Sequence, residues 1–500
     1  MKRTLLAILT AAIALSTPAF ADTSKVAFIR PDSRALPSGY FQQIFETTHF
    51  DSPPMSYQGL TKHQYSFDAQ LPPCGGTESA CIQSVEYNVG DGNWQSAKAG
   101  ADEGQRYIFD GELTGPGTWK FNLSSTYGED LKVHRPAGST ARLWSAPGAE
   151  HGGGNTYLVS ADLAGTQTGT SQYEVTDLHM GIVPVSRQAN VAEANCAAPA
   201  IFIPITPDTG MRSGFCETVY DFPQNIQWRM TVRLGAFMQD ISGWFDGRLS
   251  SPAISVDAKN QLLQVTGGAI SVPTVATTPT EYSKIPANWP QGHDANIQAE
   301  QTSGHIGWSS LMDSNAEDSV IQFNQFGNGI APKALGTNTV WQLGSIHGDN
   351  TCVQKGVVNG VLSTNAPIYS PRPPTWNAKE GTLNFQVASS HLDPTGAVFL
   401  GNYSLLLSAK TASCLWGSDF SRGSASVSVV SASGTNEIAT TSFGVHDGWA
   451  GFNAAGFTFS SPTIKVKINQ KPATITCVKG KVSKVVSGSL CPSGYKQKKY

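Results

Sequence analysis

Charge is what this sequence has least of. Of its 500 residues only 14% are Asp, Glu, Lys or Arg, against roughly 25% in an average soluble protein. Catalytic signatures are missing as well. The chain contains no GxSxG, HExxH, P-loop or EF-hand spacing, and no GxGxxG in a strand–helix–strand setting, so no local motif announces hydrolytic, nucleotide or calcium chemistry. It has no CxxC pair and no Cys/His cluster at ligand spacing, and none of its 10 histidines has another at i+2 or i+4. No catalytic residue, cofactor site or metal site is therefore expected. Beyond the leader, no apolar run approaches the ~18–20 residues needed to cross a bilayer, so no transmembrane segment is expected. An LPxTG-like motif with an apolar tail is also absent, which leaves non-covalent contact as the route to surface retention.

What is present begins with a leader. Lys2 and Arg3 precede the apolar run Leu5–Leu15, and Ala19-Phe20-Ala21 supplies a small-x-small cleavage site. Residues 1–21 thus read as a secretory signal peptide, with a mature chain starting near Asp22 that is secreted and extracellular or cell-wall associated. Gly is abundant at 50 residues, and Ser, Thr and Val are frequent. β-branched side chains suit a pleated sheet and Gly permits tight reversals, so this is the composition of strands joined by turns.

The chain has 8 cysteines. An even count in an exported chain reads as disulfides. Proximity pairs Cys74 with Cys81, Cys196 with Cys216 and Cys477 with Cys491, leaving Cys352 with Cys414. In the chain-entropy view each short pair contributes about 2–3 kcal/mol.

Charge is uneven along the chain. The formal net charge is −3; loss of Lys2 and Arg3 makes it −5. Residues 471–500 hold seven lysines and no acid, so the body from Asp22 to Gln470 carries −12. An acidic body excludes nucleic acid as the expected partner, and a basic tail on such a body has the pattern of an interaction segment.

Periodicity divides the mature chain. Residues 22–55 lack a clear pattern and read as an N-terminal docking segment or linker. Over 56–138, Gln64–Ala69 and Cys81–Val89 alternate as strands, and Gly90-Asp91-Gly92-Asn93 makes a tight turn before Trp94. Residues 139–258 continue the pattern. Short strands are expected at Asn155–Ala161 and Gln172–Val175. Gln227–Leu234 puts Trp228, Met230, Val232 and Leu234 on one face and its arginines on the other. Residues 259–379 are irregular, rich in Asn, Gly and Pro, and end near the run Ser370–Pro374. Strands return over 380–470. The strand, Asp-Gly turn and Trp around residue 94 resemble extracellular bacterial immunoglobulin-like modules. That resemblance, with the periodicity, implies an all-β chain of several immunoglobulin-like or related β-sandwich domains in tandem.

One echo is more specific. Trp244 and Gly247 precede Ser250-Ser251-Pro252-Ala253-Ile254-Ser255-Val256; Trp449 and Gly451 precede Ser460-Ser461-Pro462-Thr463-Ile464-Lys465-Val466. Pro suits the start of a strand, where no ladder N–H is lost. The expectation is two related domains, each with Ile and Val on its core face and the Trp covering that core.

Two features touch chemistry. His151-Gly152-Gly153-Gly154 has the form of an esterase oxyanion loop, but without a nucleophile elbow it reads as a glycine turn. The 11 tryptophans invite a carbohydrate reading for any exposed indole, although Trp94, Trp119, Trp228 and Trp341 lie in or beside strands and suit a core. Acids suffice for a glycosidase pair, with nothing to single out two of the 37.

The tail carries the last signal. Thr474-Ile475-Thr476-Cys477-Val478-Lys479-Gly480-Lys481 and Cys491-Pro492-Ser493-Gly494-Tyr495-Lys496 fit a small disulfide-closed hairpin with lysines on its outer face. It resembles the TITCVKGK…CPxGYKKK ending of secreted actinobacterial envelope proteins, which implies a high-GC Gram-positive source and export to the envelope. Lys479, Lys481, Lys484, Lys496, Lys498 and Lys499 are the candidate contacts to an anionic cell-wall polymer or envelope surface. The expected function is a non-catalytic envelope or extracellular protein, binding or structural, retained by this tail. The alternative is a secreted polysaccharide-acting hydrolase with β accessory modules.

Overall fold

The computed structural model describes residues 25–30, 45–51, 64–101, 109–114, 118–123, 128–139, 141–168, 172–192, 195–196, 201–204, 213–241, 243–276, 280–281, 307–309, 320, 332–334, 336–348, 352, 356–370, 372–417, 424–430, 439–459, 463–469, 474–480, 482–487 and 492–497. The expected signal peptide lies outside them. The principal strands are β1 (Gln64–Gln70), β2 (Cys81–Asn88), β3 (Thr156–Thr168), β4 (Glu174–Ala192), β5 (Gln227–Arg233), β6 (Gly243–Asp257), β7 (Leu262–Ala276), β8 (Gly336–Ile346) and β9 (Val358–Thr364). They are followed by β10 (Thr382–Ala388), β11 (Gly401–Ser408), the helix α1 (Ala409–Trp416), β12 (Ser424–Val430), β13 (Thr440–His446), β14 (Trp449–Phe457), β15 (Thr463–Asn469), β16 (Thr474–Lys479) and β17 (Val482–Ser487). The chain is all-β in class, with several sheets.

One central sheet runs β1-β3-β4-β8-β6-β9-β11-β14-β13. All its pairs are antiparallel except β6–β9, which is parallel. A first cover sheet, β2-β5-β7 with the second half of β6, packs on one face. A second, β10-β15-β12, packs on the other. Alternation decides which side chain meets which cover. On β6, Phe245 and Leu249 enter the first core and Trp244 enters the second; on β9, Val361 enters the first and Leu362 the second. Two sandwiches thus share one sheet, and their cores lie on opposite faces of it.

β9 is buried at every position, Val358 to Thr364. Burial on both faces usually selects an apolar run, yet β9 carries Asn, Ser and Thr. Each of those side chains makes at least one hydrogen bond, which offsets much of the cost of burying it, although Asn359 Oδ1 is buried without a partner. Asn359 Nδ2 donates to Cys352 O (2.7 Å), Ser363 Oγ donates to Leu249 O (2.8 Å), and Thr364 Oγ1 donates to Asn402 O (2.9 Å). A Cβ on Gly360 would stand 2.5 Å from the Trp244 ring, so only glycine lets that indole lie flat on β9.

β6 changes sheets. Its first half pairs with β8 and β9, the register shifts between Ser250 and Ala253, and its second half pairs with β7. β7 does the converse: Ile270–Thr274 leave the cover sheet to pair with β8. These crossings tie the two layers at one edge.

The tryptophan pattern of β5 holds: Trp228, Met230, Val232 and Leu234 are all fully buried. The segment 22–55, read as a docking segment or linker for want of a clear pattern, contributes strands Lys25–Arg30 and Phe45–Asp51. The first pairs with the end of β7 and the second with Thr118–Leu123. Both are short and take their order from long-range partners, which a local pattern does not record.

Three disulfides join expected pairs: Cys74–Cys81 and Cys196–Cys216, expected from proximity, and Cys352–Cys414, expected as the remaining pair. Cys477 is also disulfide-bonded; its expected partner Cys491 lies outside the described residues. Cys352–Cys414 clips the segment before β9 to α1. That helix is capped by Ser408, whose Oγ accepts from Thr411 N, and it is anchored by Trp416 Nε1 donating to Gly381 O at 3.0 Å.

Candidate functional site

The tail forms the small sheet expected of it. β16 and β17 make an antiparallel hairpin around Gly480, which has a positive φ of 60°, and Lys496–Gln497 adds a third strand beside β16. Cys477 is fully buried. Register fixes where the cations point. Cys477 faces Lys484 and Lys479 faces Val482, so both lysines share a face with the cysteine; Lys496 pairs with Val478 on the opposite face. The expectation of a single outer lysine face is therefore corrected, because strand alternation separates position 496 from 479 and 484. Lys479, Lys484 and Lys496 are exposed. Lys484 Nζ lies 4.4 Å and Lys479 Nζ 6.0 Å from the Tyr495 ring centroid, so one aromatic ring gathers two ammonium groups. Val482 and Val485 are exposed as well. Lys481, Lys498 and Lys499 lie outside the described residues.

Sequence reasoning missed a polar row across the central sheet. Gln70 of β1, Asp162 of β3, His179 of β4, Gly344 of β8 and Asp246 of β6 are successive cross-strand neighbours. Their sequence neighbours Ala69, Leu163, Leu178, Leu343 and Phe245 fill the first core, so the row faces the other way. Gly344 makes room within it: a Cβ there would be 2.7 Å from His179 Cδ2 and 3.6 Å from Asp246 Oδ1. Tyr369 donates its hydroxyl to Asp246 Oδ2 at 2.6 Å. One row on, Arg248 is buried, donates from Nη1 to Thr364 O and Ala366 O at 2.6 Å each, and stacks on the Tyr369 ring. One row back, His347 Nε2 meets Asp177 Oδ1 at 2.7 Å. Burial pulls the Asp177 carboxyl upward, but the His347 hydrogen bond and the neighbouring histidine charges hold it below the usual carboxylate range. The same bond raises the His347 imidazole.

The row holds acids and a histidine, and the backbones of Asp162 and Asp246 stand three strand spacings apart, about 14 Å. Among the described residues no group of three or more His, Cys, Asp or Glu could hold a metal.

The glycine turn after His151 has a packing reason. His151 and Gly154 exchange backbone hydrogen bonds, Gly153 N donates to His151 Nδ1, and Nε2 is left to donate to Thr156 O. A Cβ on Gly153 would come within 2.2 Å of the Tyr220 ring. The glycines thus accommodate Tyr220. Elsewhere, Arg187 contacts the fully buried Glu217, whose carboxyl burial pushes up to about 8. This pair bridges β4 to the strand Ser213–Val219 beside the Cys196–Cys216 disulfide.

No family model matches the chain, and no curated protein or solved structure matches it either.

Proposed function

We propose that the chain is an exported envelope or extracellular protein with a binding or structural rather than catalytic role, held at the cell wall by its basic C-terminal hairpin. The observation that carries this reading is the pairing of exposed Lys479 and Lys484 around Tyr495 on a disulfide-held sheet, in a 30-residue stretch with seven lysines and no acid. Two cations gathered on one face can meet an anionic chain together. The acidic body supplies no competing attraction for an anionic wall polymer. Each lysine near an anionic surface contributes about 1 kcal/mol at low salt. The triple variant Lys479→Glu, Lys481→Glu, Lys484→Glu therefore loses at least about 3 kcal/mol, more than a hundredfold in partitioning.

The test is fractionation. The native chain should sediment with cells and be released by about 1 M salt, where the Debye length falls to roughly 3 Å. The triple variant should appear in the medium without washing. Equal partitioning of the two proteins would remove retention by the tail.

A further inference from the structure

The tryptophans whose side chains are described sort by what they touch. Trp144, Trp228, Trp244, Trp341 and Trp416 are buried in the cores. Trp376 packs edge-on against Trp416, and Trp449 packs against the first core. Trp94 joins neither core. Its ring contact is the Arg229 guanidinium, 4.1 Å from the ring centroid.

Trp94 is nevertheless firmly placed. Asn88 Oδ1 accepts from Gly90 N and Gly92 N, and Asp91 Oδ1 accepts from Asn93 N, which fixes the turn that delivers the indole. Beneath the ring, Arg229 donates from Nε to Glu86 Oε2 (2.9 Å) and from Nη2 to Glu86 Oε1 (2.7 Å). A bidentate fork holds the guanidinium plane in one orientation. The indole thus lies on a flat, pinned and charge-cancelled support and is itself half-buried.

Around it extends the outer face of the first cover sheet. Because Trp228, Met230, Leu263 and Val265 point into the core, Gln227, Gln264 and Thr266 lie on the opposite face, where they are half-buried, with Thr231 buried among them. Register places Glu86, Arg229 and Thr266 in one cross-strand row, and Thr231, Gln264 and Ser255 in the next. Gln264 Nε2 donates to Thr231 Oγ1 at 3.0 Å, leaving its Oε1 and second N–H to a ligand. Arg233, the other cation of β5, donates to Glu78 O. Two strand spacings across this face make about 10 Å, the span of two linked hexose rings.

The chemistry selects a class of ligand. An anion needs an unspent cation, and here Arg229 is neutralised by Glu86. A pyranose offers an apolar C–H face to an indole and equatorial hydroxyls to planar amides and hydroxyls, the groups present. We propose that Trp94 and the outer face of β5 and β7 bind a neutral hexopyranosyl polysaccharide, with Trp94 as the stacking platform and Gln264 as a hydrogen-bonding partner. The site is independent of the basic tail and of the retention ascribed to it.

Affinity electrophoresis of the full oxidised chain tests this, in gels containing mixed-linkage β-glucan, galactomannan or dextran, at about 0.5 M salt so that exposed charges are screened. At least one polysaccharide should retard the native chain. Trp94→Ala should weaken that retardation at least tenfold, Trp94→Phe no more than threefold, and Gln264→Ala should weaken it with the indole intact. Since Trp94 touches no core, Trp94→Ala should keep the native thermal midpoint. The triple lysine variant should migrate as the native chain does. Absence of retardation by all three polysaccharides overturns the proposal, as does a Trp94→Ala chain that binds normally. Loss of binding in the triple lysine variant also overturns it, because that assigns the effect to the tail.

Discussion

Val361 and Leu362 are neighbours on β9 whose side chains enter different cores, and their replacement by alanine measures how far the shared sheet couples the two. Val361→Ala removes two buried carbons from the first core, about 1.6 kcal/mol at ~0.8 per group, and the cavity left behind raises this to about 2 kcal/mol. Leu362→Ala removes three from the second core, about 2.4 kcal/mol before the cavity and about 3–4 with it. β9 is hydrogen-bonded to β6 on one side and β11 on the other, so neither core can lose its strand without opening the other. A cooperative unit of about 500 residues has an unfolding entropy near 1 kcal/mol/K, and 1 kcal/mol then moves Tm by roughly 1 °C. Calorimetry on the oxidised chain should show one main transition, lowered about 2 °C by Val361→Ala and 3–4 °C by Leu362→Ala. Separate sandwiches of about 200 residues would instead give shifts more than twice as large, each confined to its own transition. Two resolved transitions, one moved by Val361→Ala alone and the other by Leu362→Ala alone, would refute the coupling.

Two further outcomes follow from local geometry. The Cys352–Cys414 bridge spans 62 residues of sequence, so the chain-entropy model assigns it about 4 kcal/mol. The double variant Cys352→Ser, Cys414→Ser should lower the guanidinium midpoint more than the equivalent change at Cys74 and Cys81, which closes a loop of 7; the reverse ranking rejects the loop-length argument. His347 is held above the imidazole reference of 6.5 by Asp177, and Asp177 below the carboxylate reference of 3.8 by His347. A raised imidazole stabilises fully below its unfolded value and loses that effect as pH rises through its folded value; a lowered carboxylate stabilises above its unfolded value and loses that as pH falls through its folded one. The pair therefore contributes most between about pH 4 and 6.5. The contribution is small, because His347 is mostly exposed and water screens it. The ring-proton NMR midpoint of His347 should lie above 6.5 and drop in Asp177→Asn; an unmoved midpoint rules the pair out.

The class of fold was legible because it depends on local pattern. The core face of β5 needed only alternation, two of the described disulfides only proximity, and Cys352–Cys414 followed as the remaining pair. Strand lengths were not legible. β3 runs to Thr168 and β4 to Ala192, well beyond the short strands expected over Asn155–Ala161 and Gln172–Val175. A Cβ at Gly165 would lie 2.6 Å from the Phe67 ring, so the glycine serves a ring on the next strand, and the ladder shifts register there and continues. β9 was hidden because its Asn, Ser and Thr resemble a loop until their long-range partners are known. The polar row was invisible because its members come from five strands scattered over the chain, and only the sheet order brings them together. In the tail the hairpin was legible, but the division of its lysines between two faces required the register.

The repeated Trp and SSPxIxV pattern shows how a correct reading of local residues can still assign them to the wrong core. Each Trp was expected to cover the core entered by its own Ile. Ile254 does enter the first core, but Trp244 is buried in the second; Ile464 enters the second, while Trp449 packs against the first. The cause in the first copy is the register shift between Ser250 and Ala253, where Ser251 takes a positive φ of 49°. Ten residues separate Trp244 from Ile254, an even spacing that would put both on one face of a regular strand. An irregularity of this kind breaks the alternation while β6 moves from the central sheet to the cover. The two Val positions diverge as well: Val466 is fully buried and Val256 is exposed. The echoed residues are therefore not equivalent lids on two like domains. Each Trp sits on a strand of the central sheet and reaches into the core opposite that of its Ile, which makes the pair a cross-tie between sandwiches and gives a physical reason for two large aromatics where one sheet serves two cores.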